Sequence, residues 1–407
     1  MAIKVLEVEL SDGLQAIAVA PGYDSYRVLV RLNRLPMGWV RLPCPKKSVI
    51  TAMQFSEAIK NQLGWQLLFQ AQQNHLSRNY QTSNAPMGIS VIVCTRNRTE
   101  YLATCLETLL ALDYQHYEII VVDNAPSNGD TFRLVAKLPV RYVLEERPGL
   151  DRARNRGISE ARYNVVAFTD DDARADRFWL QAIADTLKDP AVAAVTGFVA
   201  PAELDTPAQA IFELGYGGMG HGFRRRTLSR STLNAGQLLR AGSVGIGVNM
   251  AFRRSVFQQA GEFDTALDVG TPSCGAGDIE FFYRLMATGN TVVYDPAMLV
   301  WHTHRRQLAE LKKQIQDNGR SFGCYLIACF RKENAKLHVI TYFLLVEWLL
   351  KWNLKNFLKP PARLPRSFAL TELYGMLQSP FAYRATQAWA KKSERQLPQH
   401  IKEETAV

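Results

Sequence analysis

The chain has 407 residues, enough for two or three domains. Its 47% hydrophobic and 21% charged residues are ordinary for a globular protein and exclude wholesale disorder. A formal net charge of +10 suits an anionic partner such as a nucleotide, a nucleic acid or a membrane surface, without choosing among them. Six scattered cysteines (Cys44, Cys94, Cys105, Cys274, Cys324, Cys329) include no C-x-x-C pair, which argues against structural zinc and a disulfide framework and for a reducing cytosol. The N-terminus, M-A-I-K-V-L-E-V-E-L, lacks a signal-peptide apolar region. No apolar run reaches the ~20 residues of a membrane-spanning helix.

In chain order, Ile3 to Leu10, Tyr26 to Leu32 and Gly38 to Leu42 read as strands. Met53 to Leu63 has helical spacing and is followed by Trp65 to Phe69. Residues 1–85 therefore read as a small α+β module without a catalytic constellation, open to a docking or a structural role. Gln70 to Met87, rich in Gln, Asn and Ser and ending N-A-P-M-G, has linker composition.

Residues 86–305 alternate strands with helices. Ile89 to Cys94 is an apolar strand, followed by a helical stretch from Tyr101 to Leu112. Tyr117 to Val122 is the next strand and ends at Asp123-Asn124, Val140 to Leu144 is a third, and Asp151 to Ala161 reads as a helix. Tyr163 to Phe168 is a fourth strand that runs into Asp170, Asp171 and Asp172. This order implies βαβ units and a mostly parallel sheet, whose carboxyl edge collects Thr95, Asp123 and the acidic triplet. Three adjacent carboxylates call for a nearby positive charge, and a divalent cation with oxygen ligands is one candidate. A solvated acidic turn capping the helix near Phe178 is the other. Asp123 can accept from ribose hydroxyls or a base N–H, and Arg152, Arg154 and Asn155 supply donors, whereas Arg156 reads as a solvated helix face. Neither G-x-G-x-x-G nor G-x-x-x-x-G-K-[ST] occurs at the first strand, so the usual dinucleotide fold and a P-loop are both disfavoured.

I-S-V-I-V-C-T-R-N-R (Ile89 to Arg98), I-I-V-V-D-N (Ile119 to Asn124), G-L-D-R-A-R-N-R-G (Gly149 to Gly157) and F-T-D-D-D (Phe168 to Asp172) together resemble family 2 glycosyltransferases. G-V-N-M-A-F-R-R (Gly247 to Arg254), G-E-F-D (Gly261 to Asp264) and G-A-G-D-I-E-F-F-Y-R-L (Gly275 to Leu285) extend the likeness, the last two resembling the acceptor-side half of galactosyltransferase C-terminal segments. The resemblance covers about residues 88–305. It implies the GT-A fold, an α/β architecture with a Rossmann-like, mostly parallel sheet. It also implies a nucleotide-diphosphate sugar as donor.

By that resemblance the family's D-x-D falls on Asp170-x-Asp172. Asp170 then faces the ribose, and Asp172 binds Mn²⁺ or Mg²⁺ against the diphosphate, with His302 or His304 as a further ligand. Thr95, Arg96, Arg98, Asp123, Arg154, Asn155, Asp170 and Asp171 belong to the donor side, with the orientation of Asp171 open between metal and solvent. Inverting transfer needs a base for the acceptor hydroxyl. The family's acid at this site maps onto Asp278, with Glu280 as the alternative and N-capping by Asp278 as the bland reading. Asn249 and Gly277 fall on the acceptor side, beside the glycine-rich segment Ala241 to Gly247. The other glycine-rich stretch, Leu214 to Arg226, reads as a loop able to order over the donor, with Arg224, Arg225 and Arg226 facing the diphosphate, or as a solvated loop.

Residues 306–407 read as a helical, basic region. Leu308 to Asn318 is a charged helix, and Leu337 to Leu358 is apolar and aromatic, with Trp348, Trp352, Lys351, Lys355 and Lys359 in the places of interfacial anchors. From Arg331 to Arg395 there are twelve Lys and Arg against four Asp and Glu. Peripheral attachment to an anionic membrane and packing against the catalytic domain both fit. Q-x-x-R-W and membrane spans, found in processive synthases that resemble this family, do not occur, which favours transfer of a single sugar. The sequence thus predicts a cytoplasmic, possible peripheral-membrane glycosyltransferase acting on a saccharide or lipid-linked acceptor in cell-surface polysaccharide or glycolipid assembly. A nucleotidyltransferase on a similar sheet and a catalytically silent scaffold are its rivals. No interleaving of aromatic and basic residues supports a nucleic-acid partner.

Overall fold

A computed structural model describes residues 2–44, 49–76, 87–333, 335–361 and 363–395. Its centre is a nine-stranded sheet. In spatial order eight strands run Ala173–Ala175, Thr291–His302, Val192–Pro201, Asn249–Arg253, Val165–Asp170, Ile89–Thr95, Tyr117–Asn124 and Arg141–Glu145. The ninth, Arg226–Leu228, pairs antiparallel with Thr291–His302. The four strands from Val165–Asp170 to Arg141–Glu145 are parallel, as the βαβ reading requires. Asn249–Arg253 runs antiparallel to both its neighbours.

The parallel strands bury both faces, and period-two alternation sends their side chains to two cores. Ile92, Ile120, Val122 and Phe168 face one; Val91, Val93, Val121 and Ala167 face the other. Register then gathers the polar ends on one edge: Thr95 lies opposite Asp123, and Cys94 opposite Asp170. Val192–Pro201 gives no alternating signal because all ten of its residues are buried.

In the N-terminal module, Ser25–Leu32 pairs parallel with Ile3–Glu9 and antiparallel with Leu35–Pro43. The two runs from Met53 to Phe69 form one helix, Ala52–Leu76, which places Phe55, Ile59 and Leu63 against Tyr26, Val28, Val30 and Val40. The stretch with linker composition is therefore helical as far as Leu76, and residues 77–86 of it lie outside the described residues.

At the C-terminal end, the helix expected to stop at Asn318 runs on as Leu308–Arg331. Its glycines are contact points rather than stops. A Cβ on Gly319 would sit 2.0 Å from the Glu372 carbonyl oxygen, and one on Gly375 would sit 2.0 Å from that of Gln316. Glycine thus lets Leu308–Arg331 cross the last helix, Arg366–Arg395, backbone against backbone. Leu337–Tyr342, Phe343–Leu354 and Lys355–Leu358 abut as one helical segment, the middle part π-helical. Trp348 is buried, and Trp352 donates to Glu372 at 2.9 Å, so neither tryptophan is available as a surface anchor. Leu337, Tyr342, Leu345, Leu350, Leu354 and Leu358 are exposed instead. Among the described residues no helix is long and apolar enough to cross a membrane.

Candidate active site

A cavity of about 350 Å³ opens at the carboxyl edge of the sheet, lined by Thr95, Arg96, Arg98, the acidic triplet and His302 among others. The triplet leaves the end of Val165–Asp170, and each carboxylate has its own surroundings. Asp171 accepts from Thr95 Oγ1 at 2.8 Å and from Arg98 Nη1 at 2.6 Å. Both of its oxygens are held by protein, which ties the triplet back to the first strand, and it is not among the atoms that converge with His302. Burial lifts its carboxyl to about 7 against the pull of Arg98. Asp172 accepts from Arg98 Nη2 at 2.7 Å, and His302 Nε2 stands 3.1 Å from its Oδ1. Burial opposes ionisation here too, but His302 and Arg98 win and hold this carboxyl below the usual range. Burial and the neighbouring Asp172 push Asp170 up. The triplet's positive charge comes from Arg98, which spans two of its members.

Asp170, Asp172 and His302 each turn one ligand atom to a common point, all three atoms lying within 4.8 Å of one another. Two carboxylate oxygens and an imidazole nitrogen suit Mn²⁺ or Mg²⁺. The fit shows in a loose end. Asp172 Oδ1 is buried and meets no hydrogen-bond criterion, although His302 Nε2 stands 3.1 Å away. Such orphaned atoms are rare unless something else meets them. His304 lies outside this group. Its Nδ1 faces His302 Nδ1 at 3.2 Å and its Nε2 faces Glu213 Oε2 at 3.2 Å, so both ring nitrogens are engaged.

The residues expected around the nucleoside divide. Thr95, Arg96, Arg98 and Asn124 line the cavity. Asp123 is fully buried beneath it, with Oδ2 accepting from the Tyr142 hydroxyl at 3.0 Å and Oδ1 left without a partner. Asn155 is not on the donor side: its amide bonds both the N–H and the C=O of Phe263 at 3.0 Å and straps the helix Leu150–Glu160 to the second half of the domain. Arg154 is buried and pairs with Asp151 at 2.8 Å. Arg156 pairs with Glu160 on the surface.

The second half is reached through a strained turn. Cys274, Gly275 and Ala276 all have positive φ, at 66°, 136° and 83°. For the two non-glycine residues this costs energy that surrounding structure must offset, and such clusters mark functional sites. The turn launches the helix Gly277–Ala287 with Ala276 as its cap residue, so Asp278 sits inside the first turn and does not act as the N-cap. Asp278 Oδ2 accepts from the Gly247 N–H at 2.7 Å, beside Arg154. Gly277 is required by sterics, since a Cβ there would lie 1.8 Å from Asp151 Oδ2. Glu280 points away from the cavity. Both of its oxygens are held by Arg284, at 3.0 and 2.8 Å, and Arg284 also bonds the carbonyls of Ala260 and Glu262.

Asn249 is no acceptor ligand. It is fully buried, donates to the carbonyls of Phe198 and Met298 at 2.9 and 2.7 Å, and accepts from Trp179 Nε1 at 2.9 Å. The arginine run also falls elsewhere. Arg225 pairs with Asp295 at 3.2 Å, Arg226 donates to Ser243 O, and Arg224 stands over the Phe69 ring. Of that glycine-rich stretch only Met219 reaches the cavity.

Three acids escaped the sequence reading. Asp151 and Asp268 are buried beside the cavity, Asp268 Oδ2 accepting from the Asp151 N–H at 2.8 Å. Glu213 meets His304 from a π-helical turn, Phe212–Tyr216. Asp268 and Glu213 act through partners distant in sequence, which no local pattern marks, and Asp151 pairs with Arg154 three residues on.

Residues 90–261 match the family described as Glycosyl transferase family 2. Glycosyltransferase AglE of Haloferax volcanii is 26% identical over 243 residues, 58% of this chain and 73% of that protein. The glucosyl-dolichyl phosphate glucuronosyltransferase of the same organism is 27% identical over 226 residues, 53% of this chain and 69% of that one. The mannosyltransferase PcManGT from Pyrobaculum calidifontis, solved with GDP-Man and Mn²⁺, superposes with a TM-score of 0.51 at 18% identity, covering 79% of this chain and 96% of that one. That likeness agrees with the GT-A fold expected from the motifs.

Proposed function

We propose that the chain, which matches the family 2 glycosyltransferases over residues 90–261, is a metal-dependent, inverting enzyme of that family that moves one sugar from a nucleotide-diphosphate donor to a saccharide or lipid-linked acceptor. The observation that carries this reading is the convergence of Asp170, Asp172 and His302 on one point in the lining of the cavity. Those three residues would hold Mn²⁺ or Mg²⁺, which when bound supplies Lewis-acid neutralisation of the leaving diphosphate. Arg96, exposed at the rim, adds positive charge for the phosphates. Thr95 and Asn124 present hydrogen-bonding groups to the nucleoside. Asp123, with one buried oxygen unpartnered, is poised to accept from a base or ribose.

Asp278 is the proposed base. It sits in the first turn of the helix Gly277–Ala287, beside Arg154. A carboxylate there can take the acceptor hydroxyl's proton as that oxygen attacks the anomeric carbon opposite the departing diphosphate. Asp278→Asn keeps the shape and removes the basicity.

A lipid-linked acceptor is supported by the dolichyl phosphate substrate named for one relative and by the C-terminal surface. Leu345, Leu350 and Leu354 are exposed beside Lys351, Lys355 and Lys359, which suits peripheral docking on an anionic membrane. Six free cysteines favour the cytosolic side. The deciding experiment is a screen of nucleotide sugars with Mn²⁺ or Mg²⁺, read by donor hydrolysis and by thermal shift, since a bound donor raises the melting point by mass action. A panel that gives neither in the presence of metal would refute the reading.

A further inference from the structure

We infer that the N-terminal module is a built-in part of the metal centre, with Arg27 acting as a positioning residue for His302 through Glu213 and His304. The inference rests on the proposed metal site and assigns a role to a module in which the sequence shows no chemistry.

The strand Ser25–Leu32 is buried on both faces. Tyr26, Val28 and Val30 fill the module's own core. The alternate residues Arg27, Leu29 and Arg31 point at the catalytic domain, as period two requires. Leu29 is fully buried and packs with Phe198 and Leu299, from strands of the large sheet. On one side of it, Arg31 Nη1 reaches Asp176 Oδ2 at 2.6 Å, four residues past Asp172. On the other, Arg27 Nη2 reaches Glu213 Oε1 at 3.0 Å. The module therefore grips the segment that follows the acidic triplet and the carboxylate behind the histidine pair.

The chain of contacts from Arg27 inward fixes a proton arrangement. Glu213 Oε2 is 3.2 Å from His304 Nε2, and His304 Nδ1 is 3.2 Å from His302 Nδ1. His302 Nε2 faces Asp172 and must be bare to ligate a cation. Its proton then sits on Nδ1 and is donated to His304 Nδ1. That nitrogen must be the acceptor, so His304 carries its own proton on Nε2 and donates it to Glu213. Phe212 packs edge-on against the His304 ring at 4.8 Å and holds its plane. Glu213, only 7% exposed at its side chain, needs the compensating charge that Arg27 supplies. Groups behind a ligating histidine fix its tautomer and orientation, and their loss commonly weakens metal binding 10–100-fold.

The test measures Mn²⁺ affinity of the full chain by electron paramagnetic resonance of free Mn²⁺, alongside its melting temperature. Arg27→Met and the nearly isosteric Glu213→Gln should each weaken Mn²⁺ binding by about 10-fold or more. Arg27→Lys, which keeps a cation beside Glu213, should recover most of the loss. Val40→Ala, in the module's core and away from this chain of contacts, should lower the melting temperature and leave Mn²⁺ affinity unchanged. Mn²⁺ binding by Arg27→Met and Glu213→Gln within twofold of wild type would overturn the inference, as would an equal loss in Val40→Ala. A wild-type chain that binds no Mn²⁺ would instead overturn the metal centre itself, and this inference with it.

Discussion

Asn249→Ala separates two incompatible views of the second glycosyltransferase motif. Motif reading puts Asn249 beside the acceptor, whereas the structure seals it inside the sheet with all three of its amide bonds made to protein. The carbonyls it holds lie at an irregularity. Val192–Pro201 pairs with Thr291–His302 through Gly197 opposite Asp295 and then Phe198 opposite Leu299, so residues 296–298 are extra on the second strand. Asn249 Nδ2 satisfies Phe198 O and Met298 O at that step, where ladder bonds are interrupted. The same strand ends at His302. Truncation to alanine orphans an indole N–H and two carbonyls, each costing about 1–3 kcal/mol when buried, so about 3–6 kcal/mol is expected even with partial relaxation. Against a typical total of about 5–15 kcal/mol this is a large share. At roughly 2–4 °C per kcal/mol for a domain of this size the melting temperature should fall by about 6–24 °C. Thermal unfolding followed by circular dichroism, with donor-hydrolysis kinetics on the same samples, checks this. A variant that melts within about 2 °C of wild type yet loses transfer would show that Asn249 works on the acceptor and that the structural account is wrong.

Asp172→Ala should abolish Mn²⁺-dependent donor binding and transfer, as seen by calorimetric titration of nucleotide with metal; retained binding would remove Asp172 from the ligand set. Asp278→Asn should lower kcat by about 10²–10⁴-fold with donor affinity unchanged, and near-normal turnover would place the base elsewhere. Burial raises the Asp268 carboxyl to about 7, whereas the unfolded chain titrates it near ~3.9. The folded state therefore keeps an extra proton between those values. Its stabilisation is full at low pH and is lost as pH rises through about 7. Asp268→Asn should consequently gain melting temperature relative to wild type between pH 5 and pH 8, and a difference that stays flat would refute the assignment. Replacing Leu345, Leu350 and Leu354 together by Ser should reduce flotation with anionic liposomes; equal flotation of variant and wild type would sink the membrane reading.

The sequence made the parallel half of the sheet legible because its strands are apolar runs ending in polar residues that a common register brings to one edge. Thr95, Asp123 and Asp170 were placed by that logic alone. The antiparallel half was harder to read. Val192–Pro201 is buried throughout, and Asn249–Arg253 is short, so neither carries an alternating signal. Individual roles were legible only where the chemistry is local. The acidic triplet declares itself, but the sequence could not say that Asp171 turns inward to Thr95, because that depends on Arg98 bridging two of the three acids. Asn155, Asn249 and Glu280 were misread for one reason. A polar residue in a motif looks available until its partners, 49 or more residues away for Asn155 and Asn249 and one helical turn away for Glu280, are seen to occupy it.

The segment Pro207–Tyr216 shows how the three regions of the chain meet. From its π-helical turn, Glu213 reaches both Arg27 of the N-terminal module and His304 behind the proposed metal ligands. Tyr216, one turn on, donates to Glu372 at 2.8 Å, the same carboxylate that accepts from Trp352. Phe212 stacks between Tyr216 and His304. A wider turn sets the side chains of Phe212, Glu213 and Tyr216 at angles that an α-helix would fan apart differently, and π-helical turns recur where such placement matters. The apolar C-terminal helix is thus joined to the histidine pair by side chains in continuous contact: Trp352, Tyr216, Phe212, His304. The flanking regions are therefore not appendages to a self-sufficient catalytic domain. One supplies the charge behind His302, and the other packs the segment that carries Glu213, so a truncation at either flank should cost the proposed metal centre its geometry before it costs the sheet its fold.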